Sequence, residues 1–519
     1  MEENKISKGK EILAILLLTM VIATGTFAWI VWSSKDNTKM NITIGDLADV
    51  SFKTGNDINI SNLSPSFYYD DGALTEFSIR KKKGLTTELN TSIYLDITSI
   101  SDELKNDNFK YVLLSSTDGN TYNEVISSSF KDASVGKLDI VTDTPFTDGK
   151  TYYKFYIWID GNNENNETMQ GKSLKGTLNV YVSTPPVNAV NLVEGLDKGE
   201  TGDSGSGVYK VTHSAIPASS SATGSEIPAV TDYRYYGPSP NNYICLDMEG
   251  GSTCPDKHLY RIIGSIYEEK ENTNRIKVIK ATPLTDGTTK GFSWDYTSSG
   301  SYSNIWATIT SGNYSNSLTS GSQLMKLLNS GLWWNGTSGS YYNNSKTATN
   351  VNFTNYKLSD KAKSYITTSR YYLGGYNNSS GVMTNQFYTY ERRTIRHDTN
   401  RPLYWDGMVG LMYPSDYGYA AGNTCVTETD PYNYYEGCKN KDWLWMTTSS
   451  NYSNNGEWLM SPSSGVSDSV FRVDSTGFVL NIYDGGSYDV FSARPVFYLS
   501  SSASISDGEG TSTDPYIVS

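Results

Sequence analysis

The chain has 519 residues, and at about 100–200 residues per domain this length predicts two to four domains. Acidic residues outnumber basic ones by 55 to 42, which gives a net charge of −13 and excludes the clustered positive charge that nucleic-acid binding needs. Only 19% of the residues are charged, whereas Tyr numbers 40 and Gly 45, a composition typical of exported β-proteins with adaptable contact surfaces.

Residues 12–32 predict a membrane-spanning helix. The run carries no charge and is long enough to cross about 30 Å of hydrocarbon. Three lysines in residues 5–10 predict a cytoplasmic N-terminus and an exported remainder. Residues 1–34 are therefore a signal-anchor of a single-pass cell-membrane protein with an extracellular C-terminal bulk, or a cleaved signal peptide. The small residues of Gly25–Ala28 keep cleavage after Ala28 by a signal peptidase open, and cleavage would make the protein secreted.

Residues 35–184 predict an all-β sandwich or jelly roll. Short alternating runs, most clearly Tyr152–Ile159, are separated by turn residues such as Asp148-Gly149. Residues 185–231 are rich in Gly, Ser and Pro and predict a flexible linker. Within that linker, Val208–Val211 is a candidate strand that docks on a neighbouring domain.

Residues 232–519 predict an α+β domain with long loops. His258–Ile266 and Arg275–Ile279 predict a strand pair, and Ser320–Leu328 has leucines at the spacing of a short amphipathic helix. Further along the chain, short runs such as Trp443–Met446 predict additional strands.

Two resemblances add to this organisation. The N-terminal part contains the motifs Gly25–Ala28, Thr43–Leu47, Asn62–Pro65 and Met169–Ser173. With these motifs it resembles the TasA/camelysin family, which consists of exported jelly-roll proteins whose signal peptides are cut by a dedicated peptidase. The resemblance implies no protease here, because residues 36–183 contain neither His nor an HExxH motif.

The C-terminal part contains a series of motifs, namely Tyr372–Gly375, Tyr390–Arg392, Val409–Ala420, Trp458–Pro462, Ser475–Val479, Arg494–Val496, Gly508–Thr511 and Asp514–Tyr516. With this series it resembles a domain family of surface proteins from gut Firmicutes. Its terminal half is similar to the C-type-lectin-like fold of formylglycine-generating enzymes, in which a Trp-containing strand, a loop-rich ligand face and an Arg-containing final strand recur. The resemblance implies a lectin-like domain and brings no activity with it.

The four cysteines predict two local disulfides, Cys245–Cys254 and Cys425–Cys438. Four cysteines allow three connectivities, and the local pairs are the economical choice in an exported protein. The CxxC-type spacing of a zinc site is absent from the sequence, and no metal or cofactor is predicted.

Loop aromatics among small polar residues are the predicted ligand contacts, because such loops resemble antibody paratopes in composition. The aromatic rings of Trp405, Trp443, Trp445 and Trp458 are instead predicted to pack in the core, with a sugar-stacking platform as the alternative, and Arg494 is predicted to pair with a buried carboxylate. The predicted ligand residues are Tyr452, Tyr483, Asp484, Tyr488, Asp489 and Phe491.

These features predict an exported, membrane-tethered bacterial surface protein that recognises or adheres to an unknown glycan or protein through its lectin-like domain. The alternative is a released component of an extracellular matrix fibre that polymerises through its TasA-like domain. No catalytic residues are predicted, because the GxSxG, HExxH and P-loop patterns are absent from the sequence. The protein is therefore not expected to be an enzyme.

Overall fold

The computed structural model divides the chain into two compact units, residues 1–185 and residues 186–519. No helix in the part of the chain that the model describes is long and apolar enough to cross a membrane. The predicted span, residues 12–32, lies outside that part. The described residues are 40–44, 47–53, 55–61, 63–82, 88–146, 149–162, 166–308, 318–377, 382–394, 401–428, 436–445, 456–481 and 487–519.

The first unit is a β-sandwich of two antiparallel sheets. The six-stranded sheet has the order β1-β2-β4-β9-β6-β7, and the four-stranded sheet has the order β3-β10-β5-β8. The strands are β1 (Met40–Ile44), β2 (Ala48–Phe52), β3 (Asp57–Ile60), β4 (Ala73–Lys81), β5 (Leu89–Ile100), β6 (Phe109–Ser116), β7 (Asn123–Ser129), β8 (Gly136–Phe146), β9 (Lys150–Ile159) and β10 (Leu174–Ser183).

Alternation along each strand builds the core between these two sheets. In β9, the side chains of Phe155, Ile157 and Ile159 face the core, whereas Tyr156 and Trp158 belong to a smaller cluster on the other side of the sheet. This alternation follows from the two-residue period of a strand. The predicted strand Tyr152–Ile159 is thereby confirmed, and the outer face of the six-stranded sheet is unusually aromatic.

The second unit is built on one large sheet with the order β11-β28-β29-β14-β15-β16-β27-β20, in which β12 pairs with β13 and β13 pairs with β15. The pairs of this sheet are antiparallel except for β14 with β29, which is parallel. Its strands are β11 (Val187–Asn188), β12 (Gly207–His213), β13 (Val230–Tyr236), β14 (Tyr243–Cys245), β15 (Leu259–Glu268), β16 (Thr273–Lys280), β20 (Ile366–Thr367), β27 (Val496–Leu499), β28 (Ser504–Asp507) and β29 (Tyr516–Val518).

Short ribbons and helices cover this sheet. The ribbon strands are β17 (Phe292–Ser293), β18 (Ser338–Tyr341), β19 (Thr349–Asn352), β21 (Ser369–Tyr372), β22 (Tyr404–Gly407), β23 (Gly456–Pro462), β24 (Val470–Asp474), β25 (Val479–Leu480) and β26 (Val490–Phe491). The helices are α1 (Ala189–Gly195), α2 (Gln323–Asn329), α3 (Leu332–Asn335), α4 (Asp360–Ser364), α5 (Thr384–Glu391), α6 (Pro414–Ala420), α7 (Thr424–Glu428) and α8 (Glu436–Lys439).

The predicted strand pair and amphipathic helix of the second unit are confirmed as β15, β16 and α2. The strand predicted at Trp443–Met446 is wrong over its described residues, because Trp443 and Leu444 lie in a turn. A hydrogen bond from Trp445 N to the Asp442 carbonyl, 3.1 Å, closes that turn.

The prediction of a flexible linker over residues 185–231 is wrong. Strand β11 pairs with β28, α1 buries Val193 in the core of the second unit, and β12 pairs with β13 along its whole length. The candidate strand at Val208–Val211 is confirmed as part of β12. Composition was misleading because Gly and Ser occupy the turns between these elements, while Val193, Val208 and Ile216 are buried in the core.

We therefore expect residues 186–519 to fold alone and residues 232–519 to fail. The shorter fragment lacks β11, α1 and β12, so β13 loses the one of its two antiparallel partners that pairs along its whole length, and core side chains lose their cover. Urea unfolding followed by tryptophan fluorescence should show a cooperative transition for 186–519 only. A cooperative transition of 232–519 at an unchanged midpoint would show that residues 187–231 are dispensable.

Candidate ligand-binding site

The predicted ligand residues divide into three groups in the structure. Tyr452, Tyr483 and Asp484 lie outside the described residues. Tyr488 and Asp489 are half-buried at the start of the segment that leads into β26, and Phe491 lies within that strand. Only this last part of the predicted ligand loop can therefore be described.

Phe491 is a correction to the predicted ligand face, because it is a core residue. It pairs with Phe292 across β17 and β26 and is 7% exposed. Its ring meets the Trp458 indole edge to face at 4.9 Å between centroids, and the Arg472 guanidinium lies 4.7 Å from the ring centroid. The error arose because Phe491 was assigned to a surface loop although it lies in β26. Successive side chains of a strand point to opposite faces, and that of Phe491 points into the core.

Tyr488 contacts Tyr302, which in turn contacts Tyr296, and the sequence analysis selected neither of these two tyrosines. Its ring centroid is 4.7 Å from that of Tyr302, which lies 6.2 Å from Tyr296 with the two ring planes within 6° of parallel. Tyr302 is 42% exposed, and its two neighbours are half-buried. We call these three residues the tyrosine ladder.

The backbone around the ladder is held by core strands. The Ser293 hydroxyl at the end of β17 donates to the Tyr488 carbonyl at 2.8 Å, and Asp295 N donates to the Ser487 carbonyl at 2.8 Å. The Asp295 carboxylate in turn accepts from Gln323 N at the start of α2, at 3.0 Å. Burial raises the pKa of Asp295 above its ordinary value. The ladder is thus fixed to strands and a helix rather than carried on a free loop.

Hydroxyl groups surround the exposed end of the ladder. The Thr297 and Ser299 hydroxyls are 2.8 Å apart, and those of Ser299 and Ser301 are 3.0 Å apart. Ser301 N donates to the Thr297 hydroxyl at 3.0 Å, which closes the turn between Tyr296 and Tyr302. Rigid aromatic rings beside short hydroxyl side chains supply contact area at low entropic cost together with adaptable hydrogen bonds.

The tryptophans and the final arginine behave as predicted. Trp405, Trp443 and Trp458 are buried in the core, and Trp445 is partly buried and packs against it. The Arg494 guanidinium forms a two-point ion pair with the buried Glu457 carboxylate, with Nε–Oε1 2.7 Å and Nη2–Oε2 2.9 Å. Because Glu457 precedes Trp458 in β23, this pair fixes the Trp-containing strand beside the chain that enters β27.

Both predicted disulfides are present, Cys245–Cys254 and Cys425–Cys438. The first closes a loop that brings three potential metal ligands together, with carboxylate oxygens of Asp247 and Glu249 and a ring nitrogen of His258 within 4.8 Å of one another. The Lys257 ammonium lies 2.7 Å from Glu249 Oε1, where it neutralises the carboxylate. A metal ion at this position would have to displace that ammonium group.

A network of buried, hydrogen-bonded ionisable side chains lies inside the second unit. The sequence analysis did not predict it. Asp232 accepts from Arg234 at 2.7 Å and from His213 at 2.9 Å. Asp416 accepts from the same guanidinium at 3.1 Å and from the Lys277 ammonium. All five side chains are almost fully buried.

The network balances two anions with two cations. Burial alone would raise the pKa of both aspartates, but the facing cations hold each below its ordinary value. Burial lowers the pKa of His213, which therefore stays neutral at pH 7. The ring nitrogen Nε2 of this histidine faces Asp232, so the contact orients the ring.

A second buried carboxylate, Glu391, lies at the end of α5. Its oxygens accept from Ser415 N at 3.0 Å, from the Ser415 hydroxyl at 2.7 Å and from Arg392 at 3.2 Å. The Arg392 guanidinium and the His213 ring each lie 3.5 Å from the centroid of Tyr388, so they must cover opposite faces of it. Burial, opposed by Arg392 and Ser415, raises the pKa of Glu391 to about 7.

Comparisons with known proteins add no relative to this description. No protein-family model matches the chain, and none of the curated proteins matches it either.

We expect Glu391 to make the second unit less stable as the pH rises. Its unfolded pKa is near 4.5 and its folded pKa is about 7, so the native state binds more protons between these values. The free energy of unfolding should therefore fall with rising pH in this window, by at most about 1.4 kcal/mol per pH unit. The Glu391→Gln variant should lack this component, which urea titrations across the window would measure.

The exposed Glu226 provides the matched control. Glu226→Gln should follow the wild-type dependence of unfolding free energy on pH. The free energies of unfolding of wild type and Glu391→Gln could instead depend on pH in the same way. Glu391 would then have the same pKa in the folded and unfolded chain, and the account of its burial would be wrong.

Proposed function

We propose that this chain is an exported bacterial surface protein, tethered to the membrane through residues 12–32, that recognises a glycan or protein ligand with its C-terminal unit. The uncharged run and the lysines before it support the tether and its orientation. The two disulfides support an oxidising compartment outside the cytoplasm.

The same proposal includes the finer folds, a jelly roll in the first unit and a C-type-lectin-like fold in the second. Two sheets that enclose one core support the first assignment. The second is supported by the Trp458 strand, which lies beside the segment of Arg494 through a hydrogen bond from Trp458 N to the Ser492 carbonyl, 2.9 Å. Loops between these two strands lead to the tyrosine ladder.

The tyrosine ladder is the observation that carries the proposal. Three adjoining rings remain partly open to solvent, although the same unit buries most of its large aromatic side chains. Aromatic side chains that strands already hold at a surface can contribute contact area to a ligand. Because they are ordered before binding, they lose little conformational entropy when the ligand binds. Hydroxyl groups on Thr297, Ser299 and Ser301 would supply the directional contacts.

We expect Tyr302→Ala to weaken ligand binding without unfolding the protein. Tyr302 is the most exposed ring of the ladder, so its removal loses ligand contact but little core packing. The loss should reach at least about tenfold in affinity, because truncation of an aromatic contact at a binding centre costs about 2 kcal/mol. Binding of the labelled protein to a glycan array and to bacterial and host cells measures it.

Met383→Ala is the control, because it also truncates an exposed apolar side chain of the same unit. It should bind like wild type, and Tyr302→Phe should retain most of the affinity because it keeps the ring. Equal binding by wild type and Tyr302→Ala, with equal melting temperatures, would contradict recognition through the ladder.

A further inference from the structure

The outer face of the six-stranded sheet in the first unit carries an aromatic pocket of about 390 Å³. Phe67, Tyr68, Tyr69 and Trp158 supply its aromatic walls. Its volume falls within the range of about 300–1,000 Å³ that is usual for small-molecule sites. Nothing in the proposed recognition by the C-terminal unit uses this pocket.

A short 3-10 helix, Tyr69–Asp71, forms one wall and lies directly on β9. The Tyr69 ring packs on Tyr156 and Trp158, with centroid distances of 5.2 and 6.1 Å. Gly72 makes this close approach possible, because a Cβ atom there would lie 2.4 Å from the Ile157 carbonyl oxygen. The wall is therefore built into the sandwich and does not depend on a ligand.

Backbone and side-chain hydrogen bonds fix the segment that precedes this helix. Ser66 N donates to the Ile159 carbonyl at 3.0 Å, and Gly161 N donates to the Ser66 carbonyl at 2.8 Å. The Ser66 hydroxyl donates to Asp71 at 2.5 Å and accepts from Tyr68 N at 3.1 Å. Phe67 and Tyr68 nevertheless remain 68% and 69% exposed, the largest values among the described large apolar side chains.

Acceptor groups lie at the rim of the pocket. Asp160 is held by the Lys110 ammonium at 2.6 Å and by the Asn162 amide at 2.8 Å. Burial would raise the pKa of Asp160, but these hydrogen bonds keep it below its ordinary value. Asp70 adds a second, exposed carboxylate. Because Lys110 already neutralises Asp160, the pocket carries only one uncompensated negative charge.

We propose that this pocket binds a neutral glycan, with a pyranose ring against Phe67 and Tyr68 and sugar hydroxyls donating to Asp70 and Asp160. Pyranose rings present apolar C–H faces that pack on aromatic rings, and their hydroxyls are donors that carboxylates accept strongly. An acidic glycan is disfavoured by the uncompensated charge of Asp70. A purely apolar ligand that covered Asp70 would remove this carboxylate from water without giving it a partner, which is unfavourable.

Four neutral hexasaccharides test the proposal, namely those of cellulose, starch, mannan and chitin. The full-length chain, in a detergent without a sugar headgroup, is titrated with each by calorimetry up to millimolar concentration. We expect at least one to bind. Tyr68→Ala and Phe67→Ala should each weaken that binding by at least about fivefold, because each removes a stacking surface worth about 1 kcal/mol.

Three control variants test whether the glycan binds at this pocket. Val135→Ala removes a side chain of similar exposure elsewhere on the first unit and should leave binding unchanged. Tyr68→Phe keeps the ring and should also bind. Tyr302→Ala tests the tyrosine ladder, so loss of binding only in that variant would place the glycan on the second unit and overturn the proposal.

Two further outcomes would also contradict the proposal. One is that none of the four hexasaccharides binds at millimolar concentration. The other is that hexagalacturonate, an acidic glycan, binds more tightly than all four, which would contradict the charge argument. Neither outcome bears on recognition through the tyrosine ladder, whose own test uses Tyr302 and intact cells.

Discussion

The second unit depends on one carboxylate, that of Asp416. It joins Arg234 on β13 to Lys277 on β16 and also accepts from Tyr413 N at the start of α6. A buried ammonium is very costly without such a partner, and without Asp416 the Arg234 guanidinium would keep only Asp232. Backbone pairing through β15 sets the order of the two strands, and this carboxylate ties α6 to both of them.

This constraint shapes the division of roles within the unit. The five side chains of this network are buried and paired, and they act on the fold. The tyrosine ladder is instead held at the surface, with the hydroxyls of Thr297, Ser299 and Ser301 in the turn between two of its rings. A chain in which 19% of the residues are charged can thus combine a rigid interior with an adaptable exterior, which supports the proposed role in recognition.

Local patterns predicted much of the fold. Alternation identified β9, short apolar runs identified the pair β15 and β16, leucine spacing identified α2, and proximity in the sequence was enough to pair the cysteines. The linker prediction failed because its composition averages turns with buried residues, although the short apolar run Val208–Val211 did point to a strand.

Long-range pairing could not be predicted in the same way. Asp416 and Arg234 are 182 positions apart, and neither lies in a sequence motif that indicates the other as its partner. The ladder was missed for the same reason, since only the fold brings Tyr302 to Tyr488. A local signal did exist, because residues 296–303 share the Tyr, Ser and Gly composition of the loop that was selected. Phe491 shows the opposite error. It was predicted to lie in such a loop, but its strand pairs with β17 and its ring is buried in the core.

Hydrogen–deuterium exchange on the Asp416→Asn variant of the full-length chain tests the central claim most directly. The substitution keeps the size of the side chain and removes the charge that Arg234 and Lys277 share, which should cost about 3–5 kcal/mol. The account predicts faster amide exchange throughout β12, β13, β15, β16 and the segment that carries Tyr488, with unchanged exchange in the first unit. Faster exchange confined to α6, with the strands protected as in wild type, would contradict it.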